Sequence, residues 1–149
     1  MSDTILLLSG PNLNLLGERE PEIYGTTTLA DLVELATKTA AEHGYDLEHV
    51  QSNHEGELVD WIQQGGRDQQ AGQLVGAVIN AGALTHTSVA LPDAIAGAQL
   101  RAVEVHISNI HRREPFRQHS YLSSVAAGIV VGFGVAGYPL ALRGLHALI

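Results

Sequence analysis

Short apolar runs alternate with helical repeats along this chain, a pattern typical of βαβ units on a parallel sheet. Residues 5–8 are apolar throughout, as expected for a strand that is buried on both faces. Four more strands are predicted, at residues 45–50, 77–79, 100–105 and 129–131. Right-handed connections between the strands predict an α/β fold of three layers, with helices on both faces of the sheet.

The clearest helical pattern follows Thr28. Asp31 stands three residues later, which resembles a capping pair, and apolar residues then recur at helical spacing as far as Gly44. Residues 58–62 predict a second helix that stops at Gly65-Gly66, and residues 65–73 are predicted to be a loop.

Two further helices are expected towards the end of the chain, one starting near Ser88 and one running towards Ile149. No repeat or linker interrupts the pattern, so residues 1–149 are predicted to form a single domain. The N-terminus carries no basic signal segment, which predicts a cytoplasmic protein. Residues 125–142 are uncharged, but four glycines and Pro139 break them up. A strand, a turn and a helix are expected there, and no membrane partner.

The composition excludes several kinds of chemistry. The chain has no cysteine, which rules out thiolate nucleophiles, disulfides and cysteine-bound metals. Its only lysine, Lys38, falls on a predicted exposed helix face, whereas Schiff-base catalysis needs a desolvated amine. A formal charge of −8 argues against nonspecific nucleic-acid binding. Proton transfer by histidine, tyrosine and carboxylates remains, with arginine holding negative charge.

Polar segments follow three of the predicted strands, at residues 11–14, 80–88 and 106–121. Ligands of open α/β sheets bind beyond the carboxyl ends of the strands, so these segments should converge on one cleft. The loop at residues 10–25 is longer than a plain connection needs, which is typical of lids and binding segments.

The long loop carries Arg19 and Tyr24. A nearby guanidinium lowers the pKa of a phenol from its ordinary value of about 10, which would make Tyr24 a general base. A surface tyrosine, with Arg19 paired to Glu18 or Glu20, is the commoner arrangement when these residues are taken alone.

Three arginines and three histidines crowd residues 104–121 of this acidic chain, which points to a small anionic ligand. Glu104 and His106 would project from one face of a strand, so that the carboxylate orients the imidazole and favours a general acid. A hydrogen-bonded histidine at a strand edge is the alternative. Several histidines could also hold a metal, but none of the short zinc-binding spacings is present, and no metal is expected.

Residues 132–137 read GFGVAG and match the G-x-G-x-x-G pattern of dinucleotide-binding proteins. That fingerprint needs a second strand with an acidic residue about 20 positions further on, and twelve residues follow here. The glycines are instead predicted to allow close packing between the last strand and the last helix.

Four separated blocks of sequence carry a resemblance. They read GPNLNLLGEREPEIYG from residue 10, QSNHEGELVDWI from residue 51, NAGALTHTSVALPDA from residue 80 and EVHISNIHRREPFRQHSY from residue 104. In this order they resemble type II dehydroquinases, the 3-dehydroquinate dehydratases of the shikimate and quinate pathways. The resemblance implies a flavodoxin-like fold of strand order 2-1-3-4-5 and an anti elimination of water through an enolate. It further implies no metal or cofactor, and a homo-oligomeric dodecamer built from trimers.

The resemblance also implies roles in the chemistry. Tyr24 would be the base, with Arg19 lowering the pKa of its phenol. Asn12 would hold a water molecule that stabilises the enolate oxygen. His106, oriented by Glu104, would protonate the departing hydroxyl.

Substrate contacts are implied at a further set of positions. The carboxylate would meet the side chain of Asn80 and the main-chain amides of Ile107 and Ser108, and the ring hydroxyls would meet His86 and Arg117. Arg113 matches a further arginine of the family motif, and Asp93 would reach the site of a neighbouring subunit. Two alternatives remain open, a flavodoxin-like binding or signalling module and a metal-dependent lyase. Against the module, Asn12 and Asn80 stand where a receiver needs acidic residues.

Overall fold

The computed structural model describes residues 3–18 and 20–149, with the main chain alone at Ile23 and Tyr24. Five parallel strands form a sheet: β1 (Thr4–Ser9), β2 (Asp46–Gln51), β3 (Leu74–Asn80), β4 (Ala102–His106) and β5 (Gly128–Val131). Their order across the sheet is β2-β1-β3-β4-β5, the order of flavodoxin-like folds. The predicted strands and their order are confirmed, with shifts of a few residues at the strand ends.

Helices cover both faces of the sheet. They are α1 (Pro21–Tyr24), α2 (Leu29–Glu42), α3 (Glu55–Gln70), α4 (Ala90–Ala98) and α5 (Gly137–Ala147). Successive residues of β1 point to opposite faces, so Leu6 and Leu8 pack with α3 and α4, and Ile5 and Leu7 pack with α2 and α5. The predicted three-layer sandwich is confirmed.

Helix α2 begins with the predicted capping pair. The main-chain N–H of Asp31 donates to Thr28 Oγ1 at 3.2 Å, and that of Thr28 donates to Asp31 Oδ2 at 3.1 Å. This reciprocal pair satisfies N–H groups that have no partner within the helix. The helix ends at Glu42, and Gly44 follows in the left-handed region at a φ of 82°.

The end predicted for the second helix is wrong. Gly65 and Gly66 do not stop α3, which continues through residues predicted as a loop to Gln70. A Cβ on Gly66 would lie 2.5 Å from the carbonyl oxygen of Ala98, so glycine lets α3 pack closely against α4. Gly66 therefore serves helix packing and does not end the helix. The glycine that follows the end of α3 is Gly72, which has a φ of 77°.

The uncharged residues 125–142 form β5, a turn and the start of α5, as predicted. A Cβ on Gly137 would contact Val105 and Val130 at 3.4 and 3.6 Å, so this glycine does lie where the last helix packs closely on the sheet. Over residues 3–18 and 20–149, no helix is both long and apolar enough to cross a membrane.

Candidate active site

A cleft opens beyond the carboxyl ends of β1, β3 and β4, where the sequence predicts one. In register, Asn80 of β3 lies beside Ser9, and Glu104 of β4 lies beside Ile79, so the polar residues at the two strand ends become neighbours. The cavity measures about 130 Å³, enough for one small molecule. Eight predicted site residues line it: Asn12, Asn80, His86, His106, Ile107, Ser108, Arg113 and Arg117.

Glu104 and His106 form the most buried polar pair of the site. His106 Nε2 and Glu104 Oε2 are 2.5 Å apart, and the two residues are 5% and 1% exposed. Because the carboxylate accepts from Nε2–H, the other ring nitrogen, Nδ1, can carry a proton towards the cleft. The prediction that one face of the strand brings these residues together is confirmed.

Two serines complete the surroundings of Glu104. Ser120 Oγ donates to Oε2 and Ser123 Oγ donates to Oε1, each at 2.7 Å. Burial alone raises the pKa of Glu104, but the hydrogen bonds from His106 and the serines and the charge of His106 outweigh it. The pKa of Glu104 therefore lies below its ordinary value, and the carboxylate stays ionised beside His106.

Asn80 is 4% exposed and has both ends of its side chain engaged. Its Oδ1 accepts from the main-chain N–H of Gly82 at 3.0 Å, and its Nδ2 donates to the hydroxyl of Tyr138 at 2.9 Å. These contacts distinguish the oxygen of the amide from its nitrogen and hold the group at the cleft wall.

His86 has its acceptor nitrogen available at the cleft. Its Nδ1–H donates to the carbonyl oxygen of His119 at 2.8 Å, which leaves Nε2 as the acceptor of the neutral ring. Burial and, less strongly, the charges of His106 and Arg117 lower the pKa of His86, although the bond to His119 raises it. A neutral imidazole with a lone pair at the cleft suits a ligand hydroxyl.

Two arginines give the cleft its positive charge. The side chains of Arg113 and Arg117 are 13% and 24% exposed. Arg117 Nε donates to Glu114 Oε2 at 2.7 Å. This hydrogen bond is the main reason why the pKa of the Glu114 carboxyl is lowered, and the charges of both arginines lower it further. Each guanidinium has five N–H donors, so the bond to Glu114 leaves Arg117 able to bind a second acceptor.

The loop after β1 contributes Asn12 to the cleft. Asn12 has a φ of 68°, in the left-handed region that asparagine tolerates better than most residues. Its main-chain N–H donates to Asn53 Oδ1 at 3.0 Å, and Gln51 Nε2 donates to the same oxygen at 3.2 Å. Residues at the end of β2 therefore support the conformation of Asn12.

Arg19 and the side chain of Tyr24 lie outside the described residues, so their predicted roles remain predictions. Asp93 lies in the first turn of α4, exposed and away from the cleft of its own chain, on a surface shared with Gln63 and Arg67.

Sequence reasoning missed the residues that support the site from behind. These are Gln51, Asn53, Ser120, Ser123 and Tyr138. Ser120 is 16 positions from its partner Glu104, and Tyr138 is 58 positions from Asn80. Within the described part of the chain, no group of three or more histidine, aspartate or glutamate side chains could hold a metal ion.

Comparison with known proteins gives one consistent result. The family model of dehydroquinase class II matches residues 3–146. A 3-dehydroquinate dehydratase of Azorhizobium caulinodans is 61% identical over 145 residues, which cover 97% of this chain and 95% of the relative. Another from Acidovorax sp. is 58% identical over 145 residues, covering 97% and 98% of the two chains.

Solved structures are similar over the same length. The type II dehydroquinase of Propionibacterium acnes superimposes with a TM-score of 0.90 at 43% identity, covering 99% of this chain and 98% of the other. That of Butyrivibrio crossotus gives a TM-score of 0.91 at 40% identity, with 97% and 98% covered.

Proposed function

We propose that side chains of the cleft remove water from the substrate by accepting one proton and donating another. The premise is that the chain belongs to the dehydroquinase class II family and is a 3-dehydroquinate dehydratase of the shikimate pathway. The reaction breaks a C–H bond next to the ketone and the C–O bond of the hydroxyl one carbon further on. It forms the conjugated double bond of 3-dehydroshikimate. One group must therefore accept a proton and another must give one to the departing oxygen.

His106 is the proposed acid, and its contact with Glu104 is the single observation that carries the proposal. The ionised, buried carboxylate accepts from Nε2–H and fixes the plane of the ring, so Nδ1 is the ring nitrogen left for the substrate. Nδ1–H then protonates the departing hydroxyl, which leaves as water. The serines on Glu104 support the assignment, because a carboxylate held by three donors resists taking the proton itself.

Tyr24 is the proposed base. As a phenolate it takes the proton next to the ketone, and the electron pair left behind moves onto the ketone oxygen as an enolate. Arg19 would lower the pKa of the phenol, and Asn12 would hold the water molecule that stabilises the enolate oxygen. Support comes from the course of the loop, because Asn12, Leu13 and Leu16 line the same cleft as His106.

The remaining residues at the cleft are proposed to hold the substrate. Asn80 and the main-chain amides of Ile107 and Ser108 take the carboxylate. His86 and Arg117 take the ring hydroxyls. Arg113 adds positive charge at the same wall, which favours an anionic substrate over a neutral one.

The chain is also proposed to act as a single catalytic domain in a homo-oligomer, a dodecamer built from trimers, in the cytoplasm. Large apolar side chains lie exposed at Val89, Phe116, Ile129 and Phe133, which supports association through these surfaces. Asp93 is exposed and away from its own cleft, as a residue that reaches a neighbouring site must be. Native mass spectrometry should detect particles of twelve 15.8-kDa chains, and a monomer would contradict the proposal.

The proposed chemistry is tested by following the ultraviolet absorbance of the conjugated enone as it forms from 3-dehydroquinate. Purified protein should produce the enone, and treatment with a chelator should leave the rate unchanged. A rate that fell on chelation and returned with added metal would favour the metal-dependent lyase instead.

A further inference from the structure

The glycine-rich segment at residues 132–138, GFGVAGY, has no part in the chemistry described so far, yet it lies directly behind the cleft. The main-chain N–H of Gly132 donates to the carbonyl oxygen of His106 at 3.2 Å. That of Gly134 donates to the carbonyl oxygen of Ile107 at 2.9 Å. Both glycines have positive φ values, 93° and 62°, which other residues rarely adopt. The segment thus holds the main chain that presents Ile107 and Ser108 to the cleft.

Tyr138 is the last residue of this segment. It supports Asn80, which lines the cleft together with Ile107 and Ser108. It is fully buried, and its hydroxyl oxygen accepts a hydrogen bond from Asn80 Nδ2 at 2.9 Å. An amide nitrogen has two hydrogens, so one remains for a ligand. With Oδ1 accepting from the N–H of Gly82, turning the amide over would place two N–H donors against each other and lose this contact.

We propose that Tyr138 is a positioning residue for substrate binding, which orients the amide of Asn80 so that its remaining N–H meets the carboxylate of the substrate. This inference rests on the proposed function. Tyr138 itself is closed off from the cleft and touches no substrate.

The protonation state of Tyr138 fits this role. Burial raises the pKa of Tyr138 to about 12, although the hydrogen bond from Asn80 acts in the opposite direction. The hydroxyl therefore stays neutral at neutral pH, and no phenolate repels the carboxylate bound in front of it.

Tyr138→Phe tests the proposal, because it removes the hydroxyl and keeps the ring. The net value of one hydrogen bond predicts that KM for 3-dehydroquinate rises by about two- to tenfold. The value of kcat should change by less than about twofold, since the contact helps substrate and transition state alike. Tyr45→Phe is the matched control, because its hydroxyl is bonded to His146 at 2.7 Å, away from the cleft, and KM should not change.

Two further measurements separate positioning from general stability. In the Asn80→Ala background, Tyr138→Phe should raise KM no further, because its effect passes through Asn80. With the carboxamide analogue of the substrate, which lacks the charge, Tyr138→Phe should have a smaller effect on kcat/KM than with the acid.

An unchanged KM in folded Tyr138→Phe would overturn the inference, as would additive effects with Asn80→Ala or equal losses with acid and carboxamide. These results would leave the proposed function intact. Absence of dehydratase activity in the unaltered chain would instead contradict the proposed function.

Discussion

The two sides of the cleft are built differently. On the strand side, Glu104, His106 and Asn80 are almost fully buried, and hydrogen bonds hold each of them in one orientation. On the loop side, Asn12 is exposed and is held through its main-chain N–H to Asn53. The strand side therefore holds the proposed acid in place, whereas the proposed base belongs to the segment after β1, most of whose described residues are exposed. Changes to the first side should alter both stability and activity, and changes to the second should alter activity alone.

The largest effect is expected for His106→Ala on the strand side. Loss of the general acid should lower kcat by about 10²- to 10⁴-fold. The free energy of unfolding should also fall, by about 1–3 kcal/mol, because Glu104 loses a buried partner. Chemical denaturation and the enone assay measure the two effects. His146→Ala, on the exposed end of α5, is the control, and near-normal turnover in His106→Ala would rule out the proposed acid.

Tyr24→Phe makes the corresponding change on the loop side. Without the phenol, kcat should again fall by about 10²- to 10⁴-fold. Here the free energy of unfolding should stay within about 0.5 kcal/mol of the unaltered chain, because the substitution removes a hydroxyl and keeps the ring. A large loss of stability in Tyr24→Phe would contradict the expectation that changes on the loop side alter activity alone.

Ser123→Ala probes the support of the acid. Removing one donor from a buried carboxylate should cost about 1–3 kcal/mol in the free energy of unfolding at neutral pH. The pKa of Glu104 is lowered in the folded state, so the stability it provides is present above its unfolded pKa and is lost as pH falls through the folded value. The substitution raises that pKa, so less stability should be lost on acidification, and the loss should be complete at a higher pH. Ser124→Ala, at an exposed neighbour, should leave the curve of stability against pH unchanged.

Asn53→Ala should have the smallest effect. It removes the acceptor of the Asn12 N–H on the loop side, so we expect kcat to fall by a few-fold, the value of about one hydrogen bond. Stability should change little. Asn53→Asp keeps an acceptor oxygen and should restore most of the activity, and equal losses in both variants would contradict the supporting role.

The sequence predicted the residues on the strand side of the cleft, but it did not predict the residues that hydrogen-bond to them from behind. Alternation within β4 indicated that Glu104 and His106 share a face, and the polar residues after β3 indicated the position of Asn80. The contacts of Ser123 and Tyr138 depend on how distant segments pack against each other. No local sequence pattern around either residue predicts such contacts. For the same reason Gly65-Gly66 was misread, since glycine at a helix–helix contact looks like a helix stop in sequence.

The loop side shows a different limit. Its length and its Arg19 and Tyr24 predicted a binding segment, and Asn12, Leu13 and Leu16 do line the cleft. From the residues alone, Arg19 beside Tyr24 pointed to a general base, but a surface pair was the commoner arrangement, and family resemblance decided for the catalytic roles.

The central claim is that acid and base act from opposite sides of the substrate. It is tested most directly with 3-dehydroquinate carrying deuterium in one of the two positions next to the ketone, with mass spectrometry of the product. Deuterium on the face opposite the departing hydroxyl should be lost, and deuterium on the same face should be retained. Loss of deuterium from the same face as the hydroxyl would contradict the account.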